Sequence, residues 1–127
     1  MTDLLAKGAA WLADQRRRHL SRTVTYVRGL DSVDLPAMVG RSTFEQVDEY
    51  GVLQRTEADD FLISPADLVL DGRQVLPEAG DRIRETTDDG CTRTYEIVAL
   101  GTEPPWRWSD PHRTTLRIHT KLIGTEA

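Results

Sequence analysis

The chain has 127 residues, enough for one domain, residues 1–127, with a single modest core. No apolar run approaches the roughly 20 residues that a membrane-spanning helix needs, which excludes such a helix. The net charge of −5 is unevenly distributed, because residues 1–30 sum to +4, residues 31–90 to −10 and residues 91–127 to +1. The acidic middle argues against a protein that wraps nucleic acid.

The N-terminal segment predicts an α-helix over residues 1–20. Leu5 and Leu12 are seven residues apart, with Trp11 beside them, which gives one apolar stripe. The stripe either lies on the rest of the fold or is offered to a partner, and both interpretations remain open. Residues 1–7 do not have the pattern of a signal peptide, and the single cysteine, Cys91, cannot form an internal disulfide, so folding in a cytosol is expected.

Residues 21–127 are dominated by short β patterns. Two extended runs flank Asp88-Asp89-Gly90, a strong hairpin signal because Gly tolerates the positive φ of a tight turn. Residues 42–60 are predicted to be a flexible acidic loop with exposed Phe44 and Tyr50, in which only residues 52–57 favour pairing. The predicted strands cover residues 22–28, 35–41, 52–57, 61–63, 82–86, 92–100 and 114–122.

These short strands favour a mainly β fold, a small antiparallel β-barrel of six or seven strands with an N-terminal α-helix. Period-two alternation assigns one face of each strand to the core. On the last strand, Arg117, His119 and Lys121 are expected to share the polar outer face, whereas Leu122 is expected to lie on the apolar face. The predicted core residues are Val24, Tyr26, Phe61, Ile63, Ile83, Tyr95, Ile97, Leu116 and Ile118.

Nothing in the sequence indicates catalytic chemistry. The candidate metal ligands, His19, His112, His119 and Cys91, lack the local spacing at which ligands converge. Cys91 has no histidine nearby in sequence, and no Gly-rich loop opens a helix. We therefore expect no enzyme activity, no catalytic residue, no metal site and no cofactor.

The loop over residues 101–112 is the most unusual feature, because it contains Trp106, Arg107 and Trp108. We expect the two indoles to project to opposite sides. Either both tryptophans pack as a lid on the core, or one of them anchors a protein partner, since Trp and Arg are enriched at interface hot spots.

Several motifs follow one another in a fixed order over roughly residues 55–123, behind the predicted helix. They are Phe61-x-Ile63, Asp67-Leu68, Pro77-x-x-Gly80-Asp81-x-Ile83, the acidic tip at Gly90, Tyr95-Glu96-Ile97 and Arg117-Ile118-x-Thr120. This order resembles the head-completion, or stopper, family of phage neck proteins, the lambda-like head–tail joining proteins.

The resemblance implies a structural virion protein of a tailed phage or prophage, without enzyme activity, that is synthesised in the cytoplasm of the bacterial host. Such a subunit forms a homo-oligomeric ring in the neck, even where it is a monomer in solution. Its partners are a portal or adaptor protein on one side and a tail-completion or tail-tube protein on the other. Genomic DNA passes through the ring without being specifically bound, and no membrane is involved. The alternative is a small SH3-like or OB-like barrel that binds a protein or an oligonucleotide.

For a neck subunit, the expected contact residues are apolar or aromatic side chains and one arginine outside the predicted core. Arg107 is expected to pair with the acidic segment of a neighbouring subunit. The expected subunit or partner interface comprises Leu5, Trp11, Leu12, Phe44, Tyr50, Trp106, Arg107 and Trp108.

Overall fold

The computed structural model describes residues 5–12 and 21–126. Residues 5–12 form one helix, α1, and the remainder of the helix predicted over residues 1–20 lies outside the described residues, as does His19. In the described part of the chain, no helix is long and apolar enough to cross a membrane.

Among the described residues, nine strands and one 3-10 turn follow α1. The turn covers Pro65–Asp67 and has Pro at its start, as the Ser64-Pro65 pair favours. The strands are β1 Arg22–Arg28, β2 Asp31–Val47, β3 Leu53–Ile63, β4 Val69–Leu70, β5 Arg73–Gln74, β6 Arg82–Thr86, β7 Thr92–Ile97, β8 Trp106–Trp108 and β9 Leu116–Glu126.

Six antiparallel strands close into a barrel. Their order is β3-β2-β1-β6-β7-β9, and β3 pairs back onto β9, which closes the ring of strands. The short β8 pairs with residues 116–118 of β9, on the same edge where β7 pairs with residues 120–126. β4 and β5 pair in a separate two-stranded sheet. The prediction of a small antiparallel barrel with an N-terminal helix is confirmed.

The barrel interior contains all nine residues predicted from alternation. Each is at most 8% exposed, and Phe61 meets Tyr95 edge to face with ring centroids 5.0 Å apart. Leu35, Ala37, Leu68 and Leu70 complete this core. Close packing of these side chains supplies the main apolar contribution to the stability of the barrel. Leu122, expected on the same face, is 44% exposed, because that part of β9 has passed beyond its pairing with β3.

The segment 42–60, predicted to be a loop, instead belongs to two long strands. β2 and β3 pair continuously from Met38 with Leu62 to Val47 with Leu53. Only residues 48–52 form the connecting turn. The prediction failed because most side chains of this hairpin are in water on both faces, so the sequence shows no alternation there.

This hairpin extends beyond the closed barrel. β2 pairs with β1 only through residues 31–37, and β3 pairs with β9 only through residues 59–63. Within the described structure, residues 43–57 therefore form strand pairs only with each other, and we call them the hairpin arm. Asp48 orders its turn, because the carboxylate accepts hydrogen bonds from the backbone N–H of Tyr50 and of Val52, both at 2.9 Å.

The Gly80-Asp81 pair of the Pro77–Ile83 motif holds one end of the barrel together. Gly80 adopts φ +96°, a left-handed conformation that favours Gly. The carboxylate of Asp81 accepts a hydrogen bond from the hydroxyl of buried Tyr26, and the guanidinium of Arg28 lies 2.8 Å from it. The motif thus ties β1 to the turn that precedes β6.

Candidate functional site

A charged cluster is buried at the base of the hairpin arm, on the outer face of the barrel. Asp60 on β3 is fully buried, and its Oδ1 lies 2.9 Å from Nδ1 of His119 on β9, the residue directly opposite. Its Oδ2 accepts a hydrogen bond from Nε of Arg117 at 2.5 Å and another from the hydroxyl of Ser42. Three side chains, from β2 and β9, therefore meet at the Asp60 carboxylate of β3.

His119 lies on the outer face, as alternation predicts, but that face is covered here, because the His119 side chain is 0% exposed. The segment between β7 and β8 passes beside it: the N–H of Val98 donates to the His119 carbonyl, and the N–H of His119 donates to the Pro105 carbonyl. The rings of Phe44 and His119 meet edge to face, with their centroids 5.0 Å apart. A second covered layer thus lies outside the barrel core.

The hydrogen bonds at Asp60 decide its charge state. Burial alone would raise the pKa of the carboxyl, but hydrogen bonds from His119, Ser42 and Arg117 outweigh it and hold the pKa of Asp60 below its usual value. The carboxylate is therefore ionised at neutral pH and compensates the positive charge of Arg117, which is one-fifth exposed.

Ser, His and Asp meet here without forming a nucleophile and base. The hydroxyl of Ser42 donates to Asp60 rather than to His119, so the imidazole is not placed to take its proton. In the ranges 5–12 and 21–126, no group of three or more His, Cys, Asp or Glu side chains is arranged to hold a metal ion. The arrangement joins strands rather than activating a group.

An arginine-lined cleft opens beside this cluster. β8 places Arg107 directly opposite Arg117 on β9, and Arg41 joins them at the base of the arm. The cleft has a volume of about 400 Å³. We call this site the arginine cleft; it is lined by Arg41, Ser42, Thr43, Phe44, Glu103, Arg107 and Arg117.

The three arginines differ in how they are compensated. Arg117 has Asp60, and Arg41 lies 3.6 Å from Glu57 across the base of the arm. Arg107 is exposed and forms no ion pair with any residue that the structure describes. The cleft therefore carries a positive charge that the fold itself does not neutralise.

The two tryptophans of the loop lie on the same side of β8, so the expected opposite projection was wrong. Residues two apart on a strand share a face, and here Trp106 pairs with Ile118 and Trp108 with Leu116. Both indoles pack against the core, and their ring centroids are 5.4 Å apart at 89°. The structure corresponds to the lid alternative.

The remaining predicted contact residues are more exposed. Leu5, Trp11 and Leu12 of α1 are exposed by 75%, 61% and 50%, and Leu12 lines a cleft of about 590 Å³ beside the start of β9. Tyr50, at the tip of the hairpin arm, is 82% exposed. The structure thus brings Phe44 and Arg107 together in the arginine cleft and places Tyr50 at the other end of the arm.

Asp60, Ser42, Arg41 and Arg117 were not predicted as site residues. The sequence signal was weak, because Asp59-Asp60 resembles a solvated turn before the strand that begins at Phe61. Only the pairing of β3 with both β2 and β9 shows that Asp60 is enclosed.

Comparison with known proteins and families gives one match. No curated protein sequence matches the chain. The family described as "Phage head-tail joining protein" matches residues 2–127, which is nearly the whole chain and confirms the resemblance carried by the Pro77–Ile83 motif and its neighbours. The chain belongs to the phage head-tail joining protein family.

Proposed function

We propose that the chain is a ring-forming connector subunit, a head-completion or stopper protein that joins the portal region of the head to the tail. Membership of its family makes it a structural protein of the phage neck and a component of the virion. The ring, the station in the neck and the partners on each side belong to the proposal. Its partners would be a portal or adaptor protein and a tail-completion or tail-tube protein.

The hairpin arm is the observation that carries this proposal. A closed barrel needs no partner for its strand edges, whereas the arm leaves the outer edges of both its strands unpaired within the described structure. Large apolar side chains surround the tip and are more than half exposed. They are Val47, Tyr50, Val52 and Leu53. An exposed group of this kind is typical of a protein interaction site.

The charge of the arm suits a channel through which DNA passes. Residues 43–57 contain four acidic residues and one arginine, a net charge of −3. A negative surface repels phosphates, so DNA would slide past it rather than bind. The helix α1 offers a second, separate surface through Leu5, Trp11 and Leu12. A ring subunit needs contacts with two neighbours and with the proteins above and below it.

Reconstitution on phage heads tests the proposal. Heads produced without this protein would be mixed with the purified chain and then with tails, and imaged by negative-stain electron microscopy. We expect ring density at the portal vertex and restored tail attachment. Trp11→Ala and Tyr50→Ala should keep the circular dichroism spectrum of the folded chain but reduce tail attachment. Their exposed side chains contribute little to folding.

The opposite result would favour the monomeric barrel. A chain that leaves the portal vertex bare, and that instead binds peptides or oligonucleotides as a monomer, would contradict the ring proposal.

Arg73→Glu, an exposed change on the separate β4–β5 sheet, is the control for the two variants and should support tail attachment as the unchanged chain does.

A further inference from the structure

The arginine cleft contains one arginine, Arg107, that forms no ion pair within the described structure. Arg107 and Arg117 are cross-strand partners, and like charges directly opposite each other destabilise a sheet. Asp60 already compensates Arg117, and Glu103 is the acidic residue among the cleft-lining side chains, without an ion pair to Arg107 in the described structure. The cleft is thus built to receive an anionic group from outside.

The tip of the hairpin arm presents such a group. Glu49 is exposed and forms no hydrogen bond or ion pair with any described residue, and Tyr50 beside it is 82% exposed. The neighbouring Asp48 is already engaged, because it holds the turn through the backbone N–H groups of Tyr50 and Val52. The tip is therefore ordered before any contact forms, which lowers the entropy cost of docking.

We propose that the arm tip of one copy docks in the arginine cleft of the next copy, so that the Glu49 carboxylate accepts hydrogen bonds from Arg107 and Arg117. This inference rests on the ring assembly proposed above and names the contact that builds it. Paired guanidinium groups bind a carboxylate well, because their N–H donors match its two oxygens. The Tyr50 ring then packs against a guanidinium face.

An arm tip bound in the arginine cleft must belong to another copy, because the tip cannot reach the cleft of its own chain. The cleft lies at the root of the same arm, where Arg41, Thr43 and Phe44 line it. From Thr43 to Val47 the strand advances by roughly 13 Å, and the turn carries Glu49 further away. A second copy also offers complementary charge, since residues 46–54 at the arm tip contain Asp48 and Glu49 and no basic residue, whereas Arg107 in the cleft has no ion pair with any described residue.

Such a contact joins two different surfaces of identical chains. A head-to-tail contact of this kind generates a ring when its rotation closes, whereas a self-complementary contact would stop at a dimer. The arm sets the offset between neighbouring copies, because its tip and its root form the two halves of the contact. The proposal thus links the length of the arm to the assembly of the ring.

A charge exchange tests this pairing. The variants Arg107→Glu, Glu49→Arg and the double variant Arg107→Glu/Glu49→Arg would be added to heads that lack this protein, and ring-bearing heads counted by electron microscopy. Each single reversal should lower the yield of ring-bearing heads by about tenfold or more, because it places like charges in contact. The double variant should restore most of the yield. Arg73→Glu is the charge-matched control and should leave the yield unchanged.

Each result separates this inference from the ring proposal. Rings from the unchanged chain together with normal yields from Arg107→Glu would overturn the arm-to-cleft contact and leave the ring intact. Failure of the double variant to recover would show that Arg107 meets a different partner and would also overturn it. If the unchanged chain instead retards a short DNA duplex in a gel and Arg107→Glu does not, the cleft serves nucleic acid. Absence of rings from the unchanged chain would overturn the ring proposal itself.

Discussion

Asp60 and His119 face each other across the seam that closes the barrel, with Oδ1 of one 2.9 Å from Nδ1 of the other. Immediately beside them in sequence, Phe61 and Ile118 are also paired and fully buried, but on the opposite face of the same strands. The seam is therefore covered on both sides, by an apolar core inside and by a charged cluster outside. It connects the hairpin arm to the barrel.

Asp60→Asn is expected to destabilise the fold on the order of 3 kcal/mol, because it leaves the largely buried Arg117 guanidinium without its counter-charge. The measurement is the free energy of unfolding in urea. Asp34→Asn is the control, since Asp34 accepts an exposed hydrogen bond from Thr25. That control should change the free energy of unfolding by less than about 0.5 kcal/mol. Equal effects from the two changes would show that the buried cluster contributes nothing special.

The contribution of Asp60 should depend on pH in a definite direction. Its pKa is lower in the folded chain than the ordinary value of about 3.9, so the folded state binds a proton more weakly than the unfolded state. The stabilisation is complete above the ordinary pKa and is lost as the pH falls through the lower folded pKa. The difference in unfolding free energy between the unchanged chain and Asp60→Asn should therefore shrink between pH 7 and pH 3. A constant difference would contradict this assignment.

Period-two alternation predicted the core because the inner faces of the strands follow it strictly. The same rule does not predict the burial of Asp60 and His119, since alternation states which face a residue shares and not whether something covers that face. The cover comes from Phe44 on the arm and from the segment between Val98 and Pro105. These segments are distant in sequence from Asp60, so no local pattern could have indicated the burial.

The hairpin arm escaped prediction for a related reason. A two-stranded ribbon in water has no buried face over most of its length, so Glu45, Asp48 and Glu57 indicate a loop as readily as a strand. Residue type predicts Phe44 and Arg107 as contact residues, and the structure places both in the arginine cleft. Residue type does not reveal Arg41 or Arg117 beside it, because that requires the pairing of β8 with β9.

Trp106 and Trp11 are expected to differ sharply when replaced by Ala. Trp106 packs against the core and against Trp108, so Trp106→Ala should lower the free energy of unfolding by about 2–3 kcal/mol. Trp11 is 61% exposed, and its replacement should change the free energy by less than about 0.5 kcal/mol. Thermal denaturation of both variants measures the difference. A stable Trp106→Ala variant would show that the lid does not support the core.

Tyr26→Phe tests the cluster at the other end of the barrel. The change removes the hydroxyl that donates to Asp81 and should cost about 1–2 kcal/mol, since Arg28 still compensates the carboxylate. Burial, together with the hydrogen bond to Asp81, raises the pKa of Tyr26 far above its usual value. The stabilisation is therefore present below pH ~10, the usual value for Tyr, and declines above it.

An alkaline titration followed at 295 nm checks this second statement. The unchanged chain and Tyr26→Phe should give the same phenolate absorbance up to about pH 11, as long as both remain folded, because Tyr26 keeps its proton there. A smaller signal from Tyr26→Phe near pH 10 would mean that Tyr26 ionises as an ordinary exposed tyrosine does.

Gly101→Ala is expected to loosen the hairpin arm. Gly101 has φ +59°, and a Cβ built there overlaps the side-chain amide of Gln46, which reaches from the arm across the segment before β8. The left-handed backbone alone costs Ala about 1–2 kcal/mol, and the overlap forces Gln46 to move. Trypsin cleavage at Arg55, within the arm, should become faster than in the unchanged chain.

Two further variants separate these effects. Gly101→Ala/Gln46→Ala removes the overlap but keeps the backbone strain. Its free energy of unfolding should therefore fall only by the cost of the left-handed Ala, about 1–2 kcal/mol. Gly124→Ala, which meets nothing within 4 Å and has no positive φ, should leave both stability and cleavage unaltered. If Gly101→Ala resists trypsin as well as the unchanged chain does, the contact with Gln46 does not hold the arm. The contact of Phe44 with His119 then holds the arm against the barrel, and Phe44→Ala should accelerate trypsin cleavage instead.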